Sequence, residues 1–410
     1  MAVWLILLAG SVAAGAATVA LLVAPKRWQA LFSAAIAGAL VLEVRAFALL
    51  AANAQDVEPL VLATIFFIAG LTGGYWVTAS ALMGGPKRAP KTRAVSAPSD
   101  GPDGRVAVVL LSSAEPERYT FSAAALRLRR LLQTRALSLP ASTVPFVLLS
   151  EKARYRAIHG FHPARATAHV LADELATALR STGDVERVAL AWCDGAPSLV
   201  ERIEQLALDG YTDVVIATLG NDGAFLFERA MREVDDTRFE GVRIITAPSI
   251  WHSDALAHRI CDRVMEASAG TDCSTVGVAL VGEGQPPEWE STSRDWREKE
   301  TYFIQRVRLL LSGRGIDERN IKPGWLEWQT PDVTEVVRHL AALGCTRVVV
   351  VPATVPLATL STALDMPRGV DVARLAETTR AVVLTPWGDD PTLAEALTDA
   401  VRRALRDARR

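Results

Sequence analysis

The first 85 residues constrain the fold most, because very few of them carry a charge. Three apolar runs fill this region, at residues 2–23, 30–52 and 60–83. Each reaches the roughly 20 apolar residues that a helix needs to cross the hydrocarbon core of a bilayer. No basic segment precedes the first run, which is also too long for the apolar part of a cleaved signal peptide. The sequence therefore predicts a membrane region over residues 1–85 with three retained transmembrane helices.

The basic residues of the short loops indicate how these helices are oriented. They follow the first and third runs and are Lys26, Arg27, Lys87, Arg88, Lys91 and Arg93. The loop at 53–59 holds Asp56 and Glu58 and no Lys or Arg. Since cytoplasmic loops carry the excess of Lys and Arg, the N-terminus is expected outside and the large C-terminal part in the cytoplasm. We predict a multi-pass protein of the inner (plasma) membrane, surrounded there by lipid.

Two charged residues, Glu43 and Arg45, interrupt the second apolar run. An ionised group at bilayer depth costs roughly 2.5–3.5 kcal/mol and normally faces protein or water. Two residues apart on a helix, the two side chains point to different faces and cannot pair with each other. They are either tolerated within a small helix bundle and at the headgroups, or they contact a membrane-protein partner or an amphipathic ligand.

Beyond the membrane region the composition changes twice. Residues 84–104 are rich in Pro, Gly, Ser and charge, which predicts a flexible linker over 86–104. Short apolar runs then alternate with amphipathic helices, a pattern typical of a parallel α/β sheet. The predicted strands are 106–111, 188–192, 214–218, 242–247, 276–281, 347–351 and 381–384. The predicted helices are 121–134, 165–181, 197–209, 223–235, 253–267, 296–312, 330–343, 370–377 and 391–407.

This series divides into two similar halves, so we predict Rossmann-like lobes at 105–270 and 271–410 with a cleft between them. Parallel sheets bind their ligands outside the carboxyl ends of the strands. The loops expected to carry the site are 112–117, 218–223, 248–252, 282–288, 352–360 and 386–390.

The stretch 154–179 resembles the ferrochelatase family, in which a Tyr, a glycine turn and a proline precede a helix. Tyr155, Gly160 and Pro163 match this pattern, while His159 and His162 stand where the family has Gly and Ser. Further resemblance lies in the segments 110–117, 188–218, 325–333 and 350–365. The resemblance implies a chelatase-like α/β fold and a tetrapyrrole ligand, haem or a porphyrin, with the histidine pair as candidate axial ligands of a haem.

The family's reactive residues are missing from the matching positions. Leu219, or Gly220 if the loop is shifted, falls at the family's histidine, and Thr359 and Ser361 fall at its second histidine and its glutamate. Metal insertion needs groups that take protons from the pyrrole nitrogens, so the resemblance implies a protein without catalytic or metal-ligand residues. The candidate binding residues are Ser113, His159, His162, Leu219, Gly220, Asn221, Thr359 and Ser361. Asp222 and His252 are the candidates for a relocated base.

Other classes of chemistry lack a signal. The four cysteines show no Cys-x-x-Cys spacing and fit no iron–sulfur ligand pattern, so reduced buried thiols are expected. No phosphate-binding loop, dinucleotide fingerprint or nucleophile elbow occurs, so no nucleotide is expected. A net charge of −2 argues against a nucleic-acid partner.

The leading hypothesis is a membrane-anchored, ferrochelatase-like protein that holds a tetrapyrrole at the cytoplasmic face without inserting metal. Two alternatives stay open. One is a non-catalytic subunit or assembly factor of a membrane complex. The other is an active ferrochelatase of haem biosynthesis whose base has moved to another position.

The orientation of the membrane helices can be tested directly. A reporter fused after Arg410 should behave as cytoplasmic, and one inserted beside Asp56 as external, because the basic loops lie on the other side of the membrane from Asp56. Enzymatic and fluorescent reporter activity in whole cells measures both positions. Reversed signals would contradict the predicted orientation.

Overall fold

The structure is a computed structural model, and it describes residues 2–24, 26–53, 57–83, 94–96, 104–113, 115–133, 137–181, 183–290, 293 and 295–410. Most of the predicted linker 86–104 lies outside the described residues, as do Asp56, the basic residues 87–93 and the side chains of Lys26 and Arg27. The chain forms two compact units. The helical unit comprises Met1–Ala89 and Tyr119–Arg156, and the sheet unit comprises Pro90–Arg118 and Ala157–Arg410.

The helical unit contains the three predicted apolar helices, α1 (Ala2–Val23), α2 (Lys26–Asn53) and α3 (Glu58–Met83). Segments Val3–Val23, Trp28–Ala52 and Glu58–Leu82 are long and apolar enough to cross a membrane. This prediction of three such helices is confirmed.

Glycines allow α1 and α3 to approach closely. A Cβ atom added at Gly15 would lie 2.1 Å from the Leu71 carbonyl oxygen, and one added at Gly74 would lie 2.1 Å from that of Val12. Neither position can therefore hold a side chain without a shift of the backbone. Small residues at such contacts let membrane helices gain van der Waals packing, which replaces the hydrophobic effect as the driving force in lipid.

The structure separates the two charged residues of α2. Glu43 is 2% exposed and lies beside Gly10 of α1, whereas Arg45 is exposed. In this arrangement Glu43 faces its own unit. A contact with a membrane-protein partner stays a prediction that Arg45 alone is placed to make.

Two further helices, α4 (Phe121–Gln133) and α5 (Val144–Ala157), complete the helical unit. The sequence analysis placed this stretch in the first lobe and did not predict α5. Pro145 reads as a helix breaker, but it sits in the first turn, where its missing N–H costs no hydrogen bond. Val144 and Leu148 pack with residues of α4 and with the ends of α1 and α3.

The sheet unit contains all ten strands of the described residues. They are β1 (Ala94–Ser96), β2 (Val106–Ser112), β3 (Arg187–Trp192), β4 (Asp213–Leu219), β5 (Arg238–Glu240), β6 (Arg243–Thr246), β7 (Val276–Gly282), β8 (Ile321–Trp325), β9 (Arg347–Pro352) and β10 (Arg380–Val383). Its helices are α6 (Ala164–Arg180), α7 (Leu199–Leu208), α8 (Phe225–Asp235), α9 (Asp254–Ala267), α10 (Trp296–Gly313), α11 (Val333–Ala342), α12 (Met366–Ala373) and α13 (Pro391–Ala408).

Two parallel four-stranded sheets have the same topology. The first has the order β3-β2-β4-β6 and the second β8-β7-β9-β10, so in each the first strand in sequence lies between the second and the third. The predicted α/β fold with two parallel-sheet lobes is confirmed. Strand order reverses between β2 and β4 and between β7 and β9, which is where such sheets open a crevice for ligands.

Both sheets are covered on both faces. One continuous core joins them and is filled by α6, α9, α10 and α13. Helices α7 and α8 cover the outer face of the first sheet, and α11 and α12 cover that of the second. The C-terminal helix α13 packs on β4 and β6 of the first lobe, so the lobes share one core between them.

Three strands, β1, β5 and β8, lie where the sequence predicted none. Strand β8 was missed because its sequence, IKPGW, contains Pro323 and Gly324; it lies at a sheet edge, where a proline is tolerated. Strand β1 falls inside the predicted linker and pairs in parallel with β5.

Neighbouring glycines of α3 give a matched pair of variants for the α1–α3 contact. Gly74→Ala should lower the stability of the helical unit by about 1–3 kcal/mol, because its Cβ would overlap Val12. Gly73→Ala meets nothing within 4 Å and should be neutral or stabilising. Denaturation of the purified protein in micelles, followed by circular dichroism, measures the difference. Equal stability of the two variants would contradict the contact.

Candidate functional site

Acidic residues follow the carboxyl ends of strands in both sheets. Glu115 comes after β2, Asp194 after β3, Glu283 after β7 and Glu327 after β8, and Glu300 joins them from α10. We refer to these five residues as the carboxylate cluster. The first and second strands of each lobe thus each contribute one acid to this end of the sheets.

Hydrogen bonds hold the two lobes together at these strand ends. Asn221, after β4, donates from Nδ2 to the Trp296 carbonyl oxygen at 2.8 Å. The Phe225 amide donates to Gln285 Oε1 at 3.1 Å. Because Asn221 and Phe225 belong to the first lobe and Gln285 and Trp296 to the second, the carboxyl ends of both sheets meet at one place.

Glu300 is the most buried member of the cluster, at 3% exposure. Its Oε1 accepts from the Glu283 amide at 3.1 Å and from the Thr354 hydroxyl, and its Oε2 is 3.5 Å from Asn221 Nδ2. Burial raises the pKa of Glu300, and these hydrogen bonds oppose the rise. Gly282 is needed here, because a Cβ at that position would run into the Glu300 carboxylate.

Glu283 has the most perturbed carboxyl group of the site. Loss of hydration raises its pKa to about 8, and the charges of Glu300, Glu115, Glu327 and Asp194 add to the rise, in that order. The side chain nonetheless reaches solvent. The four neighbouring acids therefore hold the pKa of Glu283 above its ordinary range although the side chain meets solvent. Such a group can exchange protons with a ligand near neutral pH.

The loop after β8 packs directly on the loop after β7. The Leu326 amide donates to the Gly282 carbonyl oxygen at 3.0 Å, and the Glu327 amide to that of Glu283 at 3.1 Å. The Ser361 hydroxyl donates to the Glu327 carboxylate. The carboxylate of Glu327 is thereby fixed beside that of Glu283.

Trp328 follows Glu327 in a left-handed backbone conformation, with φ of 65°, and its side chain is 61% exposed. Its indole nitrogen donates to Glu327 Oε2 at 3.2 Å. A bulky residue in this conformation costs free energy that the surrounding structure must offset, a situation frequent at binding sites. The loop thus presents a large aromatic ring beside the carboxylate cluster.

A local repeat explains why both lobes carry an acid at this point. Trp192-x-Asp194 follows one strand and Trp325-x-Glu327 its counterpart. The amides of the two tryptophans donate to the carbonyl oxygens of Pro197 and Pro331 at 3.0 and 3.1 Å. The next helix of each lobe then begins with a capping box. The second copy is one residue longer, within the loop that contains Trp328.

A cavity of about 480 Å³ opens at the strand ends of the second lobe. The loops after β9 and β10 line it, with Pro356, Ala358, Thr362 and Pro386 among its walls. Thr362 directly follows Ser361, the residue that contacts Glu327. The volume of this cavity lies in the range of small-molecule sites.

Two of the eight residues predicted to bind the ligand touch the carboxylate cluster. Asn221 bonds to Glu300, and Ser361 bonds to Glu327. Thr359 hydrogen-bonds to Thr362, which lines the cavity. Leu219 is 2% exposed at the end of β4.

Gly220 has φ of 153°, and a Cβ there would lie 2.7 Å from the Phe227 ring. Its carbonyl oxygen accepts a hydrogen bond from the indole of Trp251 at 2.9 Å. A larger residue at position 220 would disturb this packing as well as any ligand. A substitution of Gly220 therefore cannot separate a loss of ligand binding from a loss of packing.

The remaining predicted residues lie apart from the cluster's hydrogen bonds. His162 is fully buried, and its Nδ1 accepts from the Ala164 amide at the start of α6, at 3.4 Å. His159 is exposed, with φ of 61°, so the two imidazoles do not share one surface. Ser113 is half-buried just beyond β2.

The two candidates for a relocated base have other contacts. Asp222 forms an ion pair with Lys299 at 3.0 Å, and the exposed His252 ring lies beside Tyr302. Among the described residues no group of three or more His, Cys, Asp or Glu is placed to hold a metal ion. The four cysteines are free, and three of them are buried.

None of the five members of the carboxylate cluster was predicted from the sequence. Single acidic residues are common on protein surfaces, and none of these five falls at a position that the family resemblance marks as reactive. Two signals were nevertheless present. Acids stand within three residues of four strand ends, and the Trp-x-acid pattern occurs twice.

Comparison with known proteins places a chelatase-type sequence in the second lobe. Residues 291–404 match the model of the CbiX chelatase family. The match covers less than half of the chain and is not specific to ferrochelatases. No curated protein sequence matches the chain.

Several solved structures are similar to the chain at low identity. SirB from Bacillus subtilis with Fe3+ is 15% identical, over 73% of this chain and 95% of that one, with a TM-score of 0.43. CbiX, described as the terminal enzyme for biosynthesis of siroheme in denitrifying bacteria, is 13% identical over 73% and 99%, with a TM-score of 0.43. Sirohydrochlorin chelatase SirB from Bacillus subtilis subspecies spizizenii, in complex with cobalt, is 12% identical over 73% and 95%, with a TM-score of 0.45. The two parallel four-stranded sheets, and not these similarities, define the fold of the sheet unit.

The raised pKa of Glu283 predicts a pH-dependent stability. The folded protein binds this proton more tightly than the unfolded chain, so stability should fall as pH rises from about 4.5 towards 8. Glu283→Gln removes this loss and should stabilise the protein increasingly over that interval. Thermal unfolding across this pH range measures it. Glu298→Gln, at an exposed position of α10, is the control and should follow the parent; an identical slope for Glu283→Gln would contradict the result.

Proposed function

We propose that the sheet unit binds a tetrapyrrole where the strand ends of its two lobes meet, and that the carboxylate cluster takes part in metal insertion there. The observation that carries the proposal is Glu283, a carboxyl group with a pKa of about 8 among four other acids. The match of residues 291–404 to the CbiX chelatase family supports the ligand class. The proposal favours the active-enzyme alternative over binding alone.

Metal insertion requires groups that accept protons and a negative charge that attracts the metal cation. When a divalent metal ion bonds to the ring nitrogens, the pyrrole N–H protons must leave. A carboxylate with a pKa near the working pH accepts such a proton effectively and releases it again to solvent. Glu283 reaches solvent, so it has a route by which to lose that proton.

The metal ion is the other substrate, and the negative charge of the cluster favours its approach. The cation also favours loss of the Glu283 proton, because an opposite charge nearby lowers a raised carboxyl pKa. Three hydrogen-bond donors hold the Glu300 carboxylate, so it keeps its position when Glu283 binds or releases a proton.

Trp328 and the neighbouring cavity suit a flat, largely apolar ring. The exposed indole beside Glu327 offers a surface on which a macrocycle can stack. The negative charge of the carboxylate cluster disfavours ligands that carry many carboxylates of their own. We therefore expect protoporphyrin to bind more tightly than carboxylate-rich sirohydrochlorin.

The membrane location belongs to the same proposal. Helices α1, α2 and α3 would anchor the protein in the inner membrane, with the sheet unit on the cytoplasmic side. Tetrapyrroles with few charged groups partition into lipid, so an anchored protein would meet such a ligand at the membrane surface.

Metal insertion by the purified full-length protein tests the proposal. With protoporphyrin or sirohydrochlorin and Co2+ or Fe2+, insertion should exceed the uncatalysed rate and increase as pH rises towards about 8, because the deprotonated Glu283 is the acceptor. Glu283→Gln should lower the rate by roughly 10²–10⁴ and abolish this pH dependence. Glu298→Gln should retain both. Absorbance of the macrocycle follows the reaction.

The outcomes separate the three hypotheses. Binding of a tetrapyrrole without insertion would contradict the role given to Glu283 and favour the holding or delivery function predicted from the sequence. Absence of both binding and insertion would reject the ligand itself and favour a docking subunit of a membrane complex.

A further inference from the structure

The α4–α5 hairpin is joined to one end of the apolar helices by three hydrogen bonds. Lys152 Nζ donates to the carbonyl oxygen of Ala24, just after α1, at 2.6 Å. Arg129 Nη2 donates to that of Leu82, near the end of α3, at 2.7 Å. The Tyr75 hydroxyl donates to the Ser142 carbonyl oxygen at 2.8 Å. The hairpin therefore lies at the C-terminal ends of α1 and α3.

These contacts lie at two different depths along α3. Tyr75 precedes Leu82 by seven residues, which is about 10 Å along a helix. From Glu58, the first residue of α3, Tyr75 is about 25 Å away, within the roughly 30 Å thickness of a hydrocarbon core. If α3 spans a membrane, Ser142 lies at the inner boundary of the hydrocarbon and Arg129 lies in the headgroup layer.

The side chains at the two depths match the polarity of the membrane layers in which they would lie. Phe146 is 56% exposed, and its ring centroid is 6.3 Å from that of Tyr75. Trp76, the next residue of α3, is also largely exposed. Exposed aromatic side chains of this kind concentrate where the acyl chains meet the headgroups, while arginine suits the headgroup layer.

The Lys152 ammonium group of the hairpin is turned towards protein. Lys152 is 7% exposed, and burial lowers its pKa, with the charge of Arg156 adding to the effect. Its hydrogen bond to Ala24 satisfies a carbonyl group at the end of α1, where the helix itself provides no donor. The hairpin can thus enter the interface without exposing this charge to lipid.

We propose that the tip of the hairpin, residues 142–147, inserts into the membrane leaflet at the C-terminal ends of α1 and α3, with Phe146 in contact with acyl chains. The occupant of this exposed apolar face is lipid. The inference rests on α1, α2 and α3 spanning a membrane, and it is independent of the tetrapyrrole. The anchor then consists of three spanning helices and one interfacial hairpin.

Spin labels on the full-length protein in phosphatidylcholine–phosphatidylglycerol vesicles test this. The background carries Cys193→Ala, Cys261→Ala, Cys273→Ala and Cys345→Ala, and each labelled protein carries one of Phe146→Cys, Val77→Cys or Leu309→Cys. All three labelled sites are exposed, on α5, α3 and α10 respectively, so each label lies outside the core. Electron paramagnetic resonance measures collisions with oxygen, which partitions into lipid, and with a water-soluble nickel complex.

The label at 146 should resemble the one at 77, with frequent oxygen and rare nickel collisions, and the label at 309 should show the reverse. A label at 146 that matches 309 while 77 is in lipid would overturn the hairpin's insertion alone. Frequent nickel collisions at both 77 and 146 would place this end of α3 and the hairpin tip outside the hydrocarbon and overturn the insertion. A label at 146 that meets neither reagent would show that protein, and not lipid, covers this face.

Discussion

The site depends on how the buried carboxylate of Glu300 is held. It accepts hydrogen bonds from Thr354, from Asn221 and from the Glu283 amide, three partners that come from loops of both lobes. A buried carboxylate without such donors would be costly. With them it ties the two lobes at their strand ends and sets the charge that Glu283 experiences. Loss of hydration raises the pKa of Glu283 most, and the charges that the meeting of the lobes brings near it add to the rise.

The two lobes have the same strand topology, and this determines which side chains meet at the strand ends. In each lobe the first strand and its neighbours end at a reversal of strand order, so equivalent loops face the same space. The Trp-x-acid pattern repeats at Asp194 and Glu327, and in the second lobe it continues into Trp328. Acids that would be ordinary surface residues in a single lobe become mutually repelling neighbours when two lobes bring them together. Loss of hydration at Glu283, together with this crowding, gives a proton acceptor near neutral pH without a histidine.

Different interactions hold the helices of the helical unit together. The close contact of α1 with α3 depends on glycines that let their backbones approach. Such contacts are typical of helices packed in lipid, where hiding apolar side chains contributes little. The α4–α5 hairpin adds hydrogen bonds to carbonyl groups at the helix ends, from Arg129 and Lys152. Residues 119–156 therefore belong with the three apolar helices, although they interrupt the sheet unit in sequence.

The sequence alone determined the elements with strong periodicity or length. These were the three apolar helices, seven of the strands and the parallel α/β class, because hydrophobic pattern acts locally and leaves a direct trace. It did not reveal β8, whose proline is tolerated only because the strand lies at an edge, or α5, whose proline falls in the first turn. Resemblance to a family marked Leu219 and Ser361 as sites of lost chemistry. Only the tertiary structure showed that Glu283 and its four neighbours converge, because residues up to 212 positions apart in sequence meet at strand ends and a pKa depends on that distance, not on sequence order.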